Sequence, residues 1–135
     1  MIGVVVCTHG PLAEALLETA KMIVGDFPAC ATVSVRQGDG MDAILADLRT
    51  AVRAVQAGDG VVLLCDMFGG TPSNLSLSLL GDDVEVVTGV NLPMLLKLFT
   101  SREGDLGAVA ALAREHGRQN ILVAGELLHG KGKTA

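Results

Sequence analysis

The run Ile2-Gly3-Val4-Val5-Val6-Cys7-Thr8-His9-Gly10-Pro11 decides the fold. Val4, Val5 and Val6 stand together instead of alternating with polar residues, which is the pattern of a strand buried on both faces and so of a parallel sheet covered by helices on each side. A second run of the same kind, Val61-Val62-Leu63-Leu64-Cys65-Asp66, leads into Met67-Phe68-Gly69-Gly70-Thr71-Pro72. Both runs stop at a residue with side-chain chemistry, a histidine in one and an aspartate in the other.

Working outward, helical periods fill the spaces between such runs. After Gly10 and Pro11, apolar residues recur at Leu12, Leu16, Ala20 and Ile23, and Gly25 marks the end of that helix. Thr32 to Val35 reads as a second strand. The turn-rich Gln37-Gly38-Asp39-Gly40 leads to a helix with Ile44, Leu48, Val52 and Val55 on one face. A short helix is predicted from Ser73 to Leu80, with Thr71 as its cap and Pro72 at its first position. Val84 to Thr88 is a fourth strand. It is followed by an apolar helix that begins with Asn91 as cap and ends near Phe99, and by a more polar helix from about Leu106 to His116. Ile121 to Ala124 is predicted to add a last strand, and Gly130 to Ala135 to be disordered. The expected fold class is α/β, doubly wound, with a mostly parallel sheet in the order 2-1-3-4 and helices on both faces. One domain, residues 1–125, is expected, with a flexible tail at 126–135.

Composition narrows the function. The 135 residues carry 10 Lys and Arg against 15 Asp and Glu, a formal net charge of -5, and no Trp or Tyr. There is no basic footprint and no aromatic platform for nucleic acid. The apolar runs fall far short of the ~20 residues of a membrane span. Without signal-peptide features at the N-terminus, a cytoplasmic location is expected. Cys7, Cys30 and Cys65 are odd in number and lack CxxC spacing, so they are expected to be reduced and buried.

In a 2-1-3-4 sheet, strands 1 and 3 are neighbours, and ligands gather outside their carboxyl ends. His9 and Asp66 stand there. A carboxylate beside an imidazole fixes which ring nitrogen carries the proton and leaves the other free as nucleophile, base or ligand. Gly69 and Gly70 admit close approach of an anion, and the hydroxyl of Thr71 can donate to it. The predicted site is therefore an oriented histidine, His9, facing a phosphate-sized anion site. On the residues alone, a strand-end histidine beside a tight glycine turn is the other reading.

Other chemistries fit less well. A receiver domain would need an acidic pair where Thr8-His9 stands and a lysine where Gly125-Glu126 stands. Neither GxGxxG after the first strand nor GxxxxGK[ST] occurs, against dinucleotide or P-loop readings. A zinc site from Cys7, His9 and Cys65 lacks usual ligand spacing, so no metal or other cofactor is expected. A hydrolase using His9 and Asp66 is a further, weaker possibility. His116 and His129 read as solvated or structural. The segment Gly89-Val90-Asn91-Leu92-Pro93-Met94-Leu95 reads as a helix start, a wall of the site or part of an interface.

Thr8-His9-Gly10, Asp66-Met67-Phe68-Gly69-Gly70-Thr71-Pro72 and Gly89-Val90-Asn91-Leu92-Pro93-Met94-Leu95, in this order and spacing, resemble the enzyme IIA domain of the mannose family of the bacterial phosphoenolpyruvate:sugar phosphotransferase system. The resemblance covers residues 1–124. It implies a phosphocarrier in which His9 takes a phosphoryl group from the carrier HPr and gives it to a histidine of an enzyme IIB protein. It further implies that Asp66 orients His9 and that Thr71 donates to the phosphoryl oxygens. It implies a homodimer exchanging a C-terminal strand, here Asn120 to Ala124, and contact with a membrane only through transporter subunits. A regulatory module, whose phosphorylation state controls a partner without sugar transport, is the alternative role for the same chemistry.

Overall fold

The computed structural model describes residues 1–130. Four strands, β1 (Gly3–His9), β2 (Cys30–Val35), β3 (Val61–Cys65) and β4 (Val84–Thr88), form one parallel sheet in the order β2-β1-β3-β4. This is the predicted order. The β1 run is buried throughout until His9, as its unbroken valines require.

Successive residues of β1 feed opposite layers, because side chains alternate across a sheet. Val4 and Val6 join Val62 and Leu64 under helices α1 (Leu12–Val24), α4 (Leu92–Thr100) and α5 (Leu106–Gln119), which contribute Ala20, Leu95, Leu98 and Ala113. Val5 and Cys7 join Leu63 and Cys65 under α2 (Met41–Val55), which contributes Ile44, Leu48 and Val55, with Leu75 of α3 (Thr71–Leu77) at the margin. The chain therefore winds one way through α1 and the other through α2, and the switch lies between β1 and β3.

Register sets the site. Cys7 of β1 lies opposite Cys65 of β3, so His9 and Asp66 leave the sheet at the same end. The turn after β1 is held by the Gly10 N–H, which donates to the Val35 carbonyl at 2.8 Å. Pro11 cannot cap α1 with its side chain. The buried Thr8 hydroxyl does so from upstream, accepting the Ala13 N–H at 2.7 Å. Asn91 caps α4 as predicted, accepting the Met94 N–H at 3.1 Å.

Three expectations change. Helix α3 begins at Thr71 with Gly70 as its cap, so Thr71 and Pro72 are its first and second residues. The cap moves because the Ser73 hydroxyl reaches back to the Gly70 N–H at 3.2 Å. Within the single chain, Ile121 to Ala124 does not pair as a strand. Residues 121–123 leave α5 as free chain, and Ala124–His129 forms helix α6. A short strand needs an edge to pair with, and this chain brings its own segment to none: Ile121, Leu122, Val123, Leu127 and Leu128 are all at least 60% exposed. The boundary drawn after residue 125 falls inside α6, and the disorder predicted for Lys131 to Ala135 lies outside the described residues.

Candidate functional site

His9 and Asp66 meet as the register demands. His9 Nδ1 lies 2.9 Å from Asp66 Oδ2, and the His9 backbone N–H donates to the same oxygen at 3.1 Å. The other carboxylate oxygen, Oδ1, accepts the Met67 N–H at 3.1 Å. An ionised carboxylate only accepts, so Nδ1 carries the proton and the lone pair of the neutral ring is on Nε2. The imidazole is 49% exposed while the carboxylate is only 15% exposed. The ring is half exposed, and the group that orients it is sheltered.

Partial burial pushes the Asp66 carboxyl up, but the ring and backbone hydrogen bonds from His9, with the attraction between the two side chains, outweigh it. The carboxyl ends below its ordinary range.

The loop after Asp66 closes over the ring. Gly69 has φ +94°, a left-handed conformation that glycine takes without strain. A Cβ on Gly70 would stand 2.7 Å from Cε1 and 3.0 Å from Nε2 of His9, so only glycine lets backbone and ring lie this close. The amides of Gly69 and Gly70 donate to the Ser73 hydroxyl at 2.9 and 3.2 Å. Thr71 has no side-chain hydrogen bond among the described residues. It lines, with His9, Gly10, Arg36, Met41 and Ile44, a cleft of about 610 Å³.

The sequence did not point to Ser73, Arg36 or Met41. Ser73 carries a local signal, a hydroxyl three residues after a helix cap. Arg36 and Met41 have none, since only the packing of the loop between β2 and α2 brings them to the cleft. The segment from Gly89 to Leu95 does not line the cleft but starts beside the site: the Val90 N–H donates to the carbonyl of Cys65, the residue before Asp66, at 2.9 Å, and the Asn91 side chain donates to the Gly117 carbonyl at 3.2 Å, tying α4 to α5. His116 is in the last turn of α5 and His129 in α6, both apart from the cleft. The thiols are not reactive groups of the site. Burial pushes Cys7 up to about 12 and Cys30 to about 11, and raises Cys65 too. Among the described residues, no group of three His, Cys, Asp or Glu side chains is placed to hold a metal ion.

Residues 3–114 match the family model EIIA-man, described as the PTS system fructose IIA component. The chain belongs to the EIIA-man family. The EIIA-man chain is 32% identical over 124 residues to the mannose-specific EIIAB component of the PTS of Escherichia coli K12, a match covering 89% of this chain and 38% of that protein. This chain thus spans well under half of that relative. It is 33% identical over 105 residues to the fructose-specific EIIA component of Bacillus subtilis, covering 76% of this chain and 72% of the relative. Its fold is that of the mannose/sorbose-specific IIA subunit of the phosphotransferase system from Enterococcus faecalis, with a TM-score of 0.82 at 29% identity over 90% of this chain and 93% of that one. No helix among the described residues is long and apolar enough to cross a membrane.

The lowered Asp66 carboxyl has a consequence for stability. Its contribution is fully present above the ordinary carboxyl pKa of about 3.9 and is lost as pH falls through the lower folded value. Urea midpoints compared between pH 6 and pH 3 are therefore expected to fall further in the wild type than in Asp66→Asn. Equal falls would mean that the pair does not favour the ionised carboxylate.

Proposed function

We propose that the chain is a phosphocarrier of the phosphoenolpyruvate-dependent sugar phosphotransferase system, accepting a phosphoryl group from phospho-HPr on Nε2 of His9 and passing it to a histidine of an enzyme IIB protein. The observation that carries this reading is the double engagement of Asp66 Oδ2 by the His9 N–H and Nδ1. It leaves one ring nitrogen with its lone pair available.

Chemistry follows from that arrangement. The Nε2 lone pair attacks the phosphorus of the donor's phosphohistidine, a P–N bond forms to His9, and the donor's P–N bond breaks with its electron pair returning to the donor ring. Because Nδ1 keeps its proton, the phosphorylated His9 ring becomes cationic, and the adjacent Asp66 carboxylate stabilises that charge as it develops. Transfer onward to enzyme IIB is the same step with His9 as donor. The Thr71 hydroxyl supplies a donor to the phosphoryl oxygens. Gly70 serves that group by placing no Cβ beside Nε2. The amides of Gly69 and Gly70 are held by Ser73 in this state.

The surroundings suit a protein as donor. Leu12, Met41, Met67 and Phe68 are exposed apolar side chains on the segments that carry or flank the site. The cleft is far larger than a phosphoryl group and admits a partner's side chain beside His9. Nothing in it offers the aromatic face commonly used to grip a sugar ring, since the sequence has no Trp or Tyr. A cytoplasmic location belongs to this reading.

A homodimer belongs to it as well. Edge strand β4 faces a groove lined by Glu85 to Thr88, Gly107, Ala110, Ala111 and Arg114, and the apolar side chains of the segment from Ile121 to Leu128 stand exposed among the described residues. Exchange of that segment between two copies supplies the strand missing from the sheet.

With phosphoenolpyruvate, enzyme I and HPr, the wild type is expected to take up an acid-labile, base-stable phosphate, and His9→Ala to take none. Uptake by His9→Ala would remove the assignment. Asp66 faces three N–H donors and no acceptor, so an asparagine can satisfy only one side. Asp66→Asn is expected to fold and to transfer at least ~10-fold more slowly. Sedimentation is expected to give a dimer for the whole chain and a monomer after truncation at residue 120; a monomeric whole chain would contradict the exchange.

A further inference from the structure

The His9 ring is confined on two sides, and Asp66 accounts for one. On the other lies the backbone of Gly70, so close to Cε1 and Nε2 that a methyl group would not fit. A single hydrogen bond at Nδ1 fixes the proton, but an exposed ring still librates about its Cα–Cβ and Cβ–Cγ bonds. The Gly70 backbone blocks that motion. It is a wall against the very edge of the imidazole that carries the acceptor nitrogen.

A wall is useful only if it stays in place, and this one belongs to an exposed loop. Met67, Phe68 and Gly69 are all exposed, so the loop's own packing does not hold it. The Ser73 side chain does. It is fully buried at the start of α3, and its hydroxyl accepts from the Gly69 N–H at 2.9 Å and the Gly70 N–H at 3.2 Å while donating to the Gly70 carbonyl at 3.1 Å. Its one proton and both acceptor sites are spent on two consecutive loop residues. Capping α3 would need only the bond to the Gly70 N–H. The further bond to Gly69 ties down the residue that turns the loop.

We infer that Ser73 is a positioning residue for phosphoryl transfer: by clamping Gly69 and Gly70 it holds the backbone wall that fixes the His9 ring with Nε2 aimed outward. The inference rests on the reading of His9 as the phosphoryl acceptor. Ser73 touches neither the ring nor the phosphoryl group and acts through Gly70.

The experiment uses Ser73→Ala, Ser73→Cys and Gly70→Ala in the full chain, with two readouts. One is single-turnover phosphorylation by phospho-HPr over a range of HPr concentrations. The other is the His9 ring Cε1–H resonance of the unphosphorylated protein. Ser73→Ala is expected to slow transfer at saturating HPr about tenfold or more, to leave the half-saturating HPr concentration unchanged, and to shift or broaden the ring resonance. Ser73→Cys keeps the volume with a weak hydrogen-bonding group and is expected to behave likewise. It gives the answer if Ser73→Ala does not fold. If Ser73 acts through Gly70, the double variant Ser73→Ala/Gly70→Ala is slowed by less than the product of the two single effects.

Wild-type transfer and an unmoved ring resonance in both Ser73 variants would overturn the inference, as would simple multiplication of the single effects. If the wild type itself takes no phosphate on His9, it is the functional reading that fails. The ring resonance then still decides whether Ser73 fixes the ring.

Discussion

One carboxylate oxygen organises this site. Asp66 Oδ2 accepts both the backbone and the ring N–H of His9, at 3.1 and 2.9 Å. An oxygen so placed ends β1 in a fixed direction and sets the tautomer of the ring, and under the proposed function it also stands beside the positive charge that phosphorylation of the ring would create. It can do so only because β1 and β3 are neighbours in register, with Cys7 opposite Cys65. The parallel order of the sheet, the switch between α1 and α2, and the buried valines of β1 all serve that adjacency.

The rest of the site answers a different problem, that of keeping an exposed ring still while leaving it reachable. Thr8 caps α1 from within the strand and holds the turn after His9. Gly70 presses its backbone against the ring, and the buried Ser73 fixes Gly70. Preorganisation of this kind suits phosphoryl transfer between two histidines, where positioning and charge stabilisation supply most of the catalysis. The net charge of -5 is no obstacle. It is a property of the whole surface, whereas the cleft beside His9 is lined locally by the Thr71 hydroxyl residue and by Arg36.

Much of this was legible in the sequence. Strands buried on both faces announce themselves as unbroken apolar runs, so β1 and β3 followed from pattern, and the order 2-1-3-4 from right-handed connections and the common arrangement of doubly wound sheets. His9 and Asp66 were legible because each ends such a run. What was not legible depended on contacts between segments. The cap of α3 fell on Gly70 and not on Thr71 because Ser73 reaches back, a choice that Thr71-Pro72 conceals. The glycine amides looked free because the serine that takes them reads as an ordinary helix residue. Ile121 to Ala124 has strand-like composition, but a strand exists only where it reaches an edge, and this segment pairs with neither β2 nor β4 of its own sheet.

The central claim is that Asp66, by holding Nδ1, makes Nε2 the nitrogen that accepts the phosphoryl group. Long-range proton–nitrogen correlation spectra of the phosphorylated protein, with phosphorus coupling to the ring nitrogens, test it directly. Phosphorus is expected to couple to Nε2 of His9 while Nδ1 remains protonated. Phosphate on Nδ1 would contradict it.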